Sequence, residues 1–214
     1  MGRIFAIGDI HGCISHLNKM MMQLDIDSRN DTLVFMGDYV DRGTDSKGVI
    51  DTIIEIRKSL KNVFCLIGNH EQMFLNYYRE QKDEELFMQN GGLKTLVSYG
   101  FNQSGIKHLH VPDNHMEFCT NLQPYYETDS YIFVHAGLRP GVPLVEQSVD
   151  DLIWIREEFI NSSCDFGKVV VFGHTILSFT TPIINDNKIG IDTGAVFGGK
   201  LTCIELPEMK IHQV

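Results

Sequence analysis

The stretch GDYVDRG, residues 37–43, follows an apolar run and places three charged side chains within five residues. The run before it, residues 32–36, is typical of a buried β-strand. Asp38, Asp41 and Arg42 then bring two carboxylates and a guanidinium between two glycines. A strand end that only had to turn would not need these charges so close together. We therefore interpret the stretch as part of a chemical site at the end of a strand.

Strand-like runs alternate with helical spacing around this stretch. Helices are predicted at 15–24 and at 46–60, the second with Ser46 as its N-cap. The strands that flank them are predicted at 3–8, 32–36 and 62–67. This alternation indicates βαβ units and a partly parallel sheet. In such sheets ligands gather beyond the carboxyl ends of the strands.

The remaining chain is predicted to be helical first and then rich in strands. Residues of about 71–122 are helical in pattern and more polar, and we interpret them as an insertion or lid over the site. One further helix is expected at about 149–161. Strands are predicted at 131–134, 168–172, 180–184, 188–191 and 201–206, with a hairpin turn at 185–187. Without a long linker or a repeat, one domain over residues 1–214 is the simple interpretation.

Composition and charge exclude several classes of function. The 214 residues carry 18 basic and 28 acidic side chains, which gives a formal net charge of −10. Nucleic-acid and anionic-membrane binders use a large basic face, so we expect neither kind of partner. No apolar run reaches the length of a membrane span, and no signal peptide is predicted.

The five cysteines are scattered, odd in number and form no C-x-x-C pair. This arrangement fits a reduced chain better than a disulfide framework, so we expect a cytoplasmic location. Cys13 directly follows the polar motif GDIHG, and its sensitivity to oxidation stays open. The oligomeric state is not indicated by the sequence.

Five predicted strands end in polar residues that can bind metal ions. The motifs are GDIHG at 8–12, GDYVDRG at 37–43, GNHE at 68–71, HAG at 135–137 and GHT at 173–175. They supply six oxygen and nitrogen donors: Asp9, His11, Asp38, Asn69, His135 and His174. Six donors are too many for one tetrahedral zinc ion, but they suit two metal ions that share a bridging carboxylate.

Each residue also has an ordinary structural explanation. Asp9 and Asp38 could cap helices, and Asn69 could belong to a turn. A single histidine is more often a hydrogen-bonded polar residue than a ligand. Asp41 and Arg42 could form a local ion pair. The recurrence of polar motifs after five separate strands favours the metal site over these explanations.

Taken together, the five motifs resemble the signature blocks of the metallophosphoesterases. More narrowly, they are similar to the phosphoprotein phosphatases of the Ser/Thr type in their short bacterial and phage form, over about residues 4–200. The resemblance implies an α/β fold with a βαβαβ core, in which two mixed β-sheets pack as a sandwich flanked by helices. It also implies a dimetal site at the carboxyl ends of the strands.

The resemblance divides the six donors between two ions: Asp9 and His11 bind the first, Asn69, His135 and His174 bind the second, and Asp38 bridges them. The implied cofactors are two divalent metal ions, with Mn in first place and Fe or Zn as alternatives. A hydroxide activated by both ions would attack phosphorus in line.

The resemblance also implies which residues bind the phosphoryl group. Arg42 would bind a phosphate oxygen, and Arg156 in the segment LIWIREEF would supply a second guanidinium. Arg139 is a weaker candidate at the same rim, and Asn69 would contact substrate as well as metal. These residues form the expected phosphate-binding set.

His70 would be the general acid that protonates the leaving oxygen, with Asp41 as the group that orients it. A carboxylate bonded to an imidazole raises the pKa of the ring and fixes its direction, which suits an acid at neutral pH.

Three functions follow from these motifs as alternatives. The first is a Ser/Thr protein phosphatase, whose substrate would be a phosphorylated protein or a small phosphoester. The second is a dinucleoside polyphosphate hydrolase of the diadenosine tetraphosphatase type, whose members usually lack an aspartate at the place of Asp41 and carry GNHD instead of a motif ending in Glu71. The third is a non-catalytic phosphopeptide-binding or scaffold protein, for which a broken donor set is expected. The intact motifs favour the first.

Overall fold

Two five-stranded sheets form the centre of the computed structural model, which describes residues 2–101 and 110–214. The strands are β1 (Ile4–Ile7), β2 (Thr32–Phe35), β3 (Asn62–Cys65), β4 (Tyr125–Glu127), β5 (Tyr131–Val134), β6 (Val169–Phe172), β7 (Ile183–Ile184), β8 (Lys188–Gly190), β9 (Thr202–Leu206) and β10 (Lys210–Gln213). The helices are α1 (Ile14–Gln23), α2 (Ser46–Ser59), α3 (Asn69–Glu80), α4 (Glu84–Gln89), α5 (Gly92–Ser98), α6 (Asp113–Thr120), α7 (Val149–Trp154) and α8 (Glu157–Ile160). Short 3-10 turns lie at Leu144–Glu146 and Ala195–Phe197.

Parallel pairing directs the ends of the motif-bearing strands to one side of each sheet. The first sheet has the order β10-β9-β1-β2-β3, and β1, β2 and β3 run parallel. The second has the order β4-β5-β6-β8-β7, with β5, β6 and β8 parallel. Antiparallel pairs, such as β1 with β9 and β4 with β5, make both sheets mixed. The predicted βαβ units and mixed sheets are confirmed.

The two sheets pack face to face. Successive side chains of a strand point to opposite sides, so each strand contributes to two apolar layers. Ala6 and Val34 of the first sheet share an apolar layer with Phe133 and Val171 of the second. Phe5 points the other way, into the layer between the first sheet and its helices. Helices α7 and α8 cover the outer face of the second sheet. The layer order of helices, sheet, sheet and helices is the one that the resemblance implied.

The helix predicted at 149–161 is wrong as a single element. It is broken into α7 and α8, because Ile155 has an extended backbone and Arg156 leaves the helical region at φ −132° and ψ −101°. The break directs Arg156 towards the loop after β6, where its Nη1 donates to Thr175 Oγ1 at 3.2 Å. The interruption therefore serves the placement of one side chain.

Two smaller predictions are also wrong. The N-cap of α2 is Asp45, whose carboxylate accepts the Gly48 N–H at 2.8 Å, whereas Ser46 is the first helical residue. The strand predicted at 180–184 is reduced to β7, because Ser178 Oγ accepts the N–H groups of residues 180 and 181 and holds a turn there. Strands β4 and β10 were not predicted.

The described part of the polar segment at about 71–122 forms most of α3 and all of α4, α5 and α6. These helices pack with α2 over the outer face of the first sheet through buried residues that include Phe74, Phe87 and Leu96. Thr95 on α5 reaches Asp41 in the loop after β2. That the segment acts as a lid stays a prediction.

All five cysteines are free thiols, as the sequence predicted. Cys65, Cys119 and Cys203 are buried in apolar surroundings, and burial raises the pKa of the Cys65 thiol to about 12. No helix within residues 2–101 and 110–214 combines the length and apolarity needed to cross a membrane.

Lys188, at the start of β8, is only 4% exposed and caps the end of α8. Its ammonium donates to the carbonyls of Phe159 at 2.7 Å, Ile160 at 3.4 Å and Ser162. The same nitrogen lies 4.8 Å from the centre of the Phe159 ring. Because the last carbonyls of a helix have no partner within it, the buried ammonium of Lys188 supplies donors at the end of α8 and at Ser162 just beyond it.

We expect Lys188→Met to lower the free energy of unfolding by about 1–3 kcal/mol, the cost of one buried polar group left without a partner. Chemical denaturation measures the change. Lys58→Met is the matched control, because that side chain is 65% exposed and forms a surface pair with Glu55. The change in its unfolding free energy should stay within about 0.5 kcal/mol. An unchanged unfolding free energy for Lys188→Met would contradict the capping role.

Candidate active site

Donor atoms from both sheets meet beyond the carboxyl ends of the strands. One ligand atom each from His11, Asp38 and His70 lies within 4.8 Å of the others, and the same holds for Asp38, His135 and His174. All of these side chains are buried. Asp38 belongs to both groups, so its carboxylate occupies the position expected of a bridging donor.

The two oxygens of Asp38 face histidines on opposite sides. Oδ2 lies 3.3 Å from His11 Nε2, and Oδ1 lies 3.4 Å from His135 Nε2. His11 Nδ1 donates to the Val40 carbonyl and His135 Nδ1 to the Met36 carbonyl, each at 2.8 Å. A neutral ring that donates from Nδ1 carries its lone pair on Nε2. Both lone pairs therefore point into the space around Asp38, as in metal-binding histidines held by a backbone carbonyl.

Burial keeps these imidazoles uncharged. It lowers the pKa of His11 to about 3 and that of His174 to about 2, where the neighbouring His135 acts in the same direction. Burial also lowers the pKa of His135. Because the neutral imidazole is the form that binds metal ions, three nitrogen lone pairs are available at neutral pH.

The other predicted donors lie beside these groups. The Asp9 carboxylate accepts the backbone N–H of His174 at 3.0 and 3.2 Å, although Asp9 belongs to neither donor group. Asn69 Oδ1 lies 3.1 Å from His135 Nε2. The structure thus brings all six predicted donors into one buried cluster, with Asp9 attached through the loop that carries His174.

The cluster fits a pair of divalent cations on the chemistry of its donors. His135 Nε2 and Asn69 Oδ1 are both acceptors once His135 donates from Nδ1, and a shared cation satisfies both. His174 Nε2 is buried and has no hydrogen-bond partner among the described residues. Burial and the nearby charges of Asp192 and Asp38 raise the pKa of Asp9 well above its ordinary value. A bound cation would favour the ionised carboxylate and so offset this effect.

Two half-buried arginines lie at the edge of this cluster. Arg42 Nη1 donates to His11 Nε2 at 2.6 Å, and its guanidinium lies 5.3 Å from the centre of the exposed Phe197 ring. Arg156 Nη1 donates to the His174 carbonyl at 3.3 Å as well as to Thr175. One guanidinium therefore stands on each side of the donor cluster, next to a predicted ligand of each ion.

His70 and Asp41 form a buried pair beside the cluster, both with no exposed surface. His70 Nδ1 bonds to Asp41 Oδ2 at 2.7 Å. Burial opposes a charge on His70, but the carboxylates of Asp38 and Asp41 outweigh it and raise the pKa of the ring. His70 Nε2 has no partner among the described residues and lies 3.9 Å from Asp38 Oδ2. The geometry thus suits a proton donor facing the cluster, and it also leaves His70 within reach of a metal.

Glu71 holds the loop that carries Asp38, a role that was not predicted. Its Oε1 accepts the N–H groups of Tyr39 at 2.8 Å and Val40 at 3.2 Å. Its Oε2 accepts those of Asp38 at 2.9 Å and Gly68 at 3.1 Å. In the sequence Glu71 served only to distinguish two classes of phosphoesterase. In the structure its carboxylate binds the backbone that follows two strands, β2 and β3.

Backbone strain is concentrated at this site. Of the eight non-glycine residues with positive φ in the described part of the chain, five are His11, Asp38, Asp41, Arg42 and His174. A left-handed backbone costs about 1–2 kcal/mol for a residue with a Cβ atom. Such strain persists where surrounding bonds fix it, and it is typical of functional sites.

Arg139 pairs with carboxylates of α7 and α8. Its Nε donates to Asp151 and its Nη1 to Glu158, each at 2.8 Å. Its role in phosphate binding stays a prediction.

Asp192 is a site residue that the sequence analysis left without a role. It is buried after β8, accepts the Gly194 N–H at 2.9 Å, and its pKa is raised to about 6 by burial, with the charge of Asp38 adding to the effect. It follows a predicted strand, so the rule that located the other donors could have found it.

Comparisons with known proteins agree with this geometry. Residues 2–192 match the family described as calcineurin-like phosphoesterase. The chain is 31% identical over 207 residues to serine/threonine-protein phosphatase 1 of Salmonella typhimurium, covering 93% of this chain and 89% of that protein. It is 26% identical over 236 residues to a bis(5'-nucleosyl)-tetraphosphatase PrpE [asymmetrical] of Oceanobacillus iheyensis, covering 99% and 92%.

A solved structure of a candidate diadenosine tetraphosphatase superposes with a TM-score of 0.77 at 24% identity, covering 100% of this chain and 93% of that one. At this identity the superposition supports the fold alone. The family match spans every strand-end motif and supplies a common reason for the buried donors, the two arginines and the acid pair. The chain therefore belongs to the calcineurin-like phosphoesterase family and is a metallophosphoesterase.

Proposed function

We propose that this phosphoesterase is a Ser/Thr protein phosphatase. The observation that carries the proposal is the buried pair of His70 and Asp41, joined at 2.7 Å with His70 Nε2 free of any partner among the described residues. Phosphoserine and phosphothreonine release an alkoxide, a poor leaving group that needs a proton from a general acid. A dinucleoside polyphosphate releases a nucleotide phosphate, which leaves readily as an anion and needs an acid much less.

In the proposed reaction Arg42 and Arg156 bind the phosphoryl oxygens, because a planar guanidinium matches two phosphate oxygens at once. Asn69 contacts the same group from the side of His135. Two divalent ions, when held by the six donors, supply an acidified water and positive charge near phosphorus. We propose Mn as the resident ion, with Fe or Zn as alternatives.

His70 then donates its Nε2 proton to the leaving oxygen as the bond to phosphorus breaks. Asp41 keeps the ring in the orientation that presents this proton, and its charge stabilises the protonated imidazole. In this proposal His70 is the acid and not a metal ligand, although its nitrogen lies near the ligand atoms of His11 and Asp38.

A bis(5'-nucleosyl)-tetraphosphatase is the second candidate. The Oceanobacillus iheyensis relative with that name aligns over 99% of this chain at 26% identity. Against it stand Asp41 and Glu71, since the sequence pattern of that class usually has neither. The non-catalytic alternative is set aside, because the chain belongs to a family of phosphoesterases and its donor set is intact.

We also propose that the protein acts in the cytoplasm, on a phosphorylated protein or a small phosphoester. Five free cysteines and the negative net charge of −10 support this setting. Neither nucleic acid nor membrane is part of the proposed function.

Phosphoserine and phosphothreonine peptides should exceed diadenosine tetraphosphate in kcat/KM by about 100-fold or more, the lower end of what a general acid contributes. Parallel assays with Mn(II) measure the ratio. p-Nitrophenyl phosphate serves as a control that reports an assembled site whatever the natural substrate is. A clear preference for diadenosine tetraphosphate would move the protein to the second candidate function.

Removal of metal by a chelator should abolish hydrolysis of every phosphoester, because the donors cannot acidify a water without bound cations. Elemental analysis confirms the stripping, and addition of Mn(II), Fe(II) or Zn(II) to separate samples shows which ion restores turnover. Full activity in a sample free of metal would disprove the two-metal mechanism.

His70→Asn should keep metal content and folding, and lower kcat by roughly 10²–10⁴ on substrates with poor leaving groups. The loss on p-nitrophenyl phosphate should be smaller, because p-nitrophenolate leaves as an anion. His174→Asn is the matched comparison and should lower metal occupancy and hence activity on all substrates. If His70→Asn instead loses metal and slows both substrates equally, His70 is a ligand rather than the acid.

A further inference from the structure

The turn that leads into α5 touches the loop containing Asp41 and Arg42. The Gly91 carbonyl accepts the Arg42 N–H at 3.3 Å. Gly91 has φ +95°, and a Cβ atom there would lie 2.9–3.1 Å from atoms of Arg42. The close approach therefore requires glycine, and it fixes the backbone of a residue that itself has positive φ.

Four residues further along, Thr95 bonds Asp41 twice. Its Oγ1 donates to Asp41 Oδ1 at 2.6 Å and accepts the Asp41 backbone N–H at 2.8 Å. Ser46 Oγ lies 3.0 Å from the same hydroxyl, which gives it a further hydrogen-bond partner. Thr95 has no exposed surface, so water does not compete for these bonds.

The Asp41 carboxylate thus has a different partner on each oxygen: His70 on Oδ2 and Thr95 on Oδ1. A carboxylate bonded at one oxygen can rotate about its last torsion, whereas one bonded at both keeps its plane. The plane of Asp41 sets the direction of His70 Nδ1, and the ring geometry then sets the direction of Nε2.

We propose that Thr95 is a positioning residue, which holds the carboxylate of Asp41 and through it aims His70 Nε2 at the leaving oxygen. This inference rests on the proposed role of His70 as the acid. It gives the helical segment a part in the chemical step through a hydroxyl whose hydrogen bonds go to Asp41 and Ser46.

The proposal is tested with three variants: Thr95→Val, Thr95→Ser and the control Ser98→Ala. Their substrates are phenyl phosphate and p-nitrophenyl phosphate, in the presence of Mn(II). Ser98 lies on the same helix, and its hydroxyl bonds the Thr95 carbonyl and the Lys47 N–H but not Asp41. Thr95→Val should lower kcat on phenyl phosphate about tenfold or more, as expected for loss of a hydrogen bond to a charged group. KM and metal content should change little, and the loss on p-nitrophenyl phosphate should be clearly smaller.

Thr95→Ser keeps the hydroxyl and should recover most of the rate, and Ser98→Ala should match the wild type. In a His70→Asn background, Thr95→Val should add little further loss, because groups that act as a unit are not additive. If Thr95→Val does not fold, Thr95→Ala removes the same hydroxyl without adding a methyl group, and the same criteria apply.

Equal losses on both aryl phosphates, or losses that multiply with His70→Asn, would overturn the positioning role. If the wild type and His70→Asn behave as proposed and Thr95→Val does not, the inference about Thr95 alone is wrong. If the wild type hydrolyses no phosphomonoester, the proposed function and this inference fall together.

Discussion

The buried carboxylate of Glu71 is the constraint on which the rest of the site depends. Four backbone N–H groups donate to it, three from the loop after β2 and one from the residue before α3. Burial raises its pKa, yet every partner is a donor, so the bonds favour the ionised form. With this anchor, Asp38 is held between the two groups of histidines, and the chain continues from there to Asp41 and Arg42.

The strained backbone around this anchor is stabilised from several directions. The His11 N–H donates to the Asp38 carbonyl at 2.8 Å, and the His174 N–H donates to the Asp9 carboxylate. His11 and His174 are thus tied to loops at the ends of other strands, whereas the N–H groups of Asp41 and Arg42 donate to Thr95 and to Gly91. Each motif-bearing strand stops before its donors begin, and bonds between loops take over there from bonds within the sheets. The apolar layers on both faces of each sheet hold the strand ends that make this possible.

The parallel strands and the meeting of six polar side chains at one edge could be predicted from the sequence, because both depend on local pattern. An apolar run sets a strand, and a polar residue after it lies at the ligand-binding edge whatever the rest of the chain does. Glu71, Thr95 and the break before Arg156 could not be predicted in this way. Their roles depend on residues far along the chain. Glu71 bonds to Tyr39, 32 positions away, and Thr95 bonds to Asp41, 54 positions away. Arg156 bonds to Thr175, 19 positions away. Asp192 follows the local rule and was missed only because its motif was not counted with the others.

The position of β1 links the two ends of the chain. Its residues pair on one side with β2, starting at Ile4 with Thr32, and on the other side with β9, where Ile4 meets Leu206. During synthesis the second edge of this apolar strand stays without its native neighbour until about 200 further residues have been made, roughly 10–40 s at ordinary translation rates. Non-local pairing of this kind slows folding and exposes a strand edge to other chains. The central strand of the first sheet is therefore made long before β9 completes its pairing, and until then its open edge is accessible to strands of other chains.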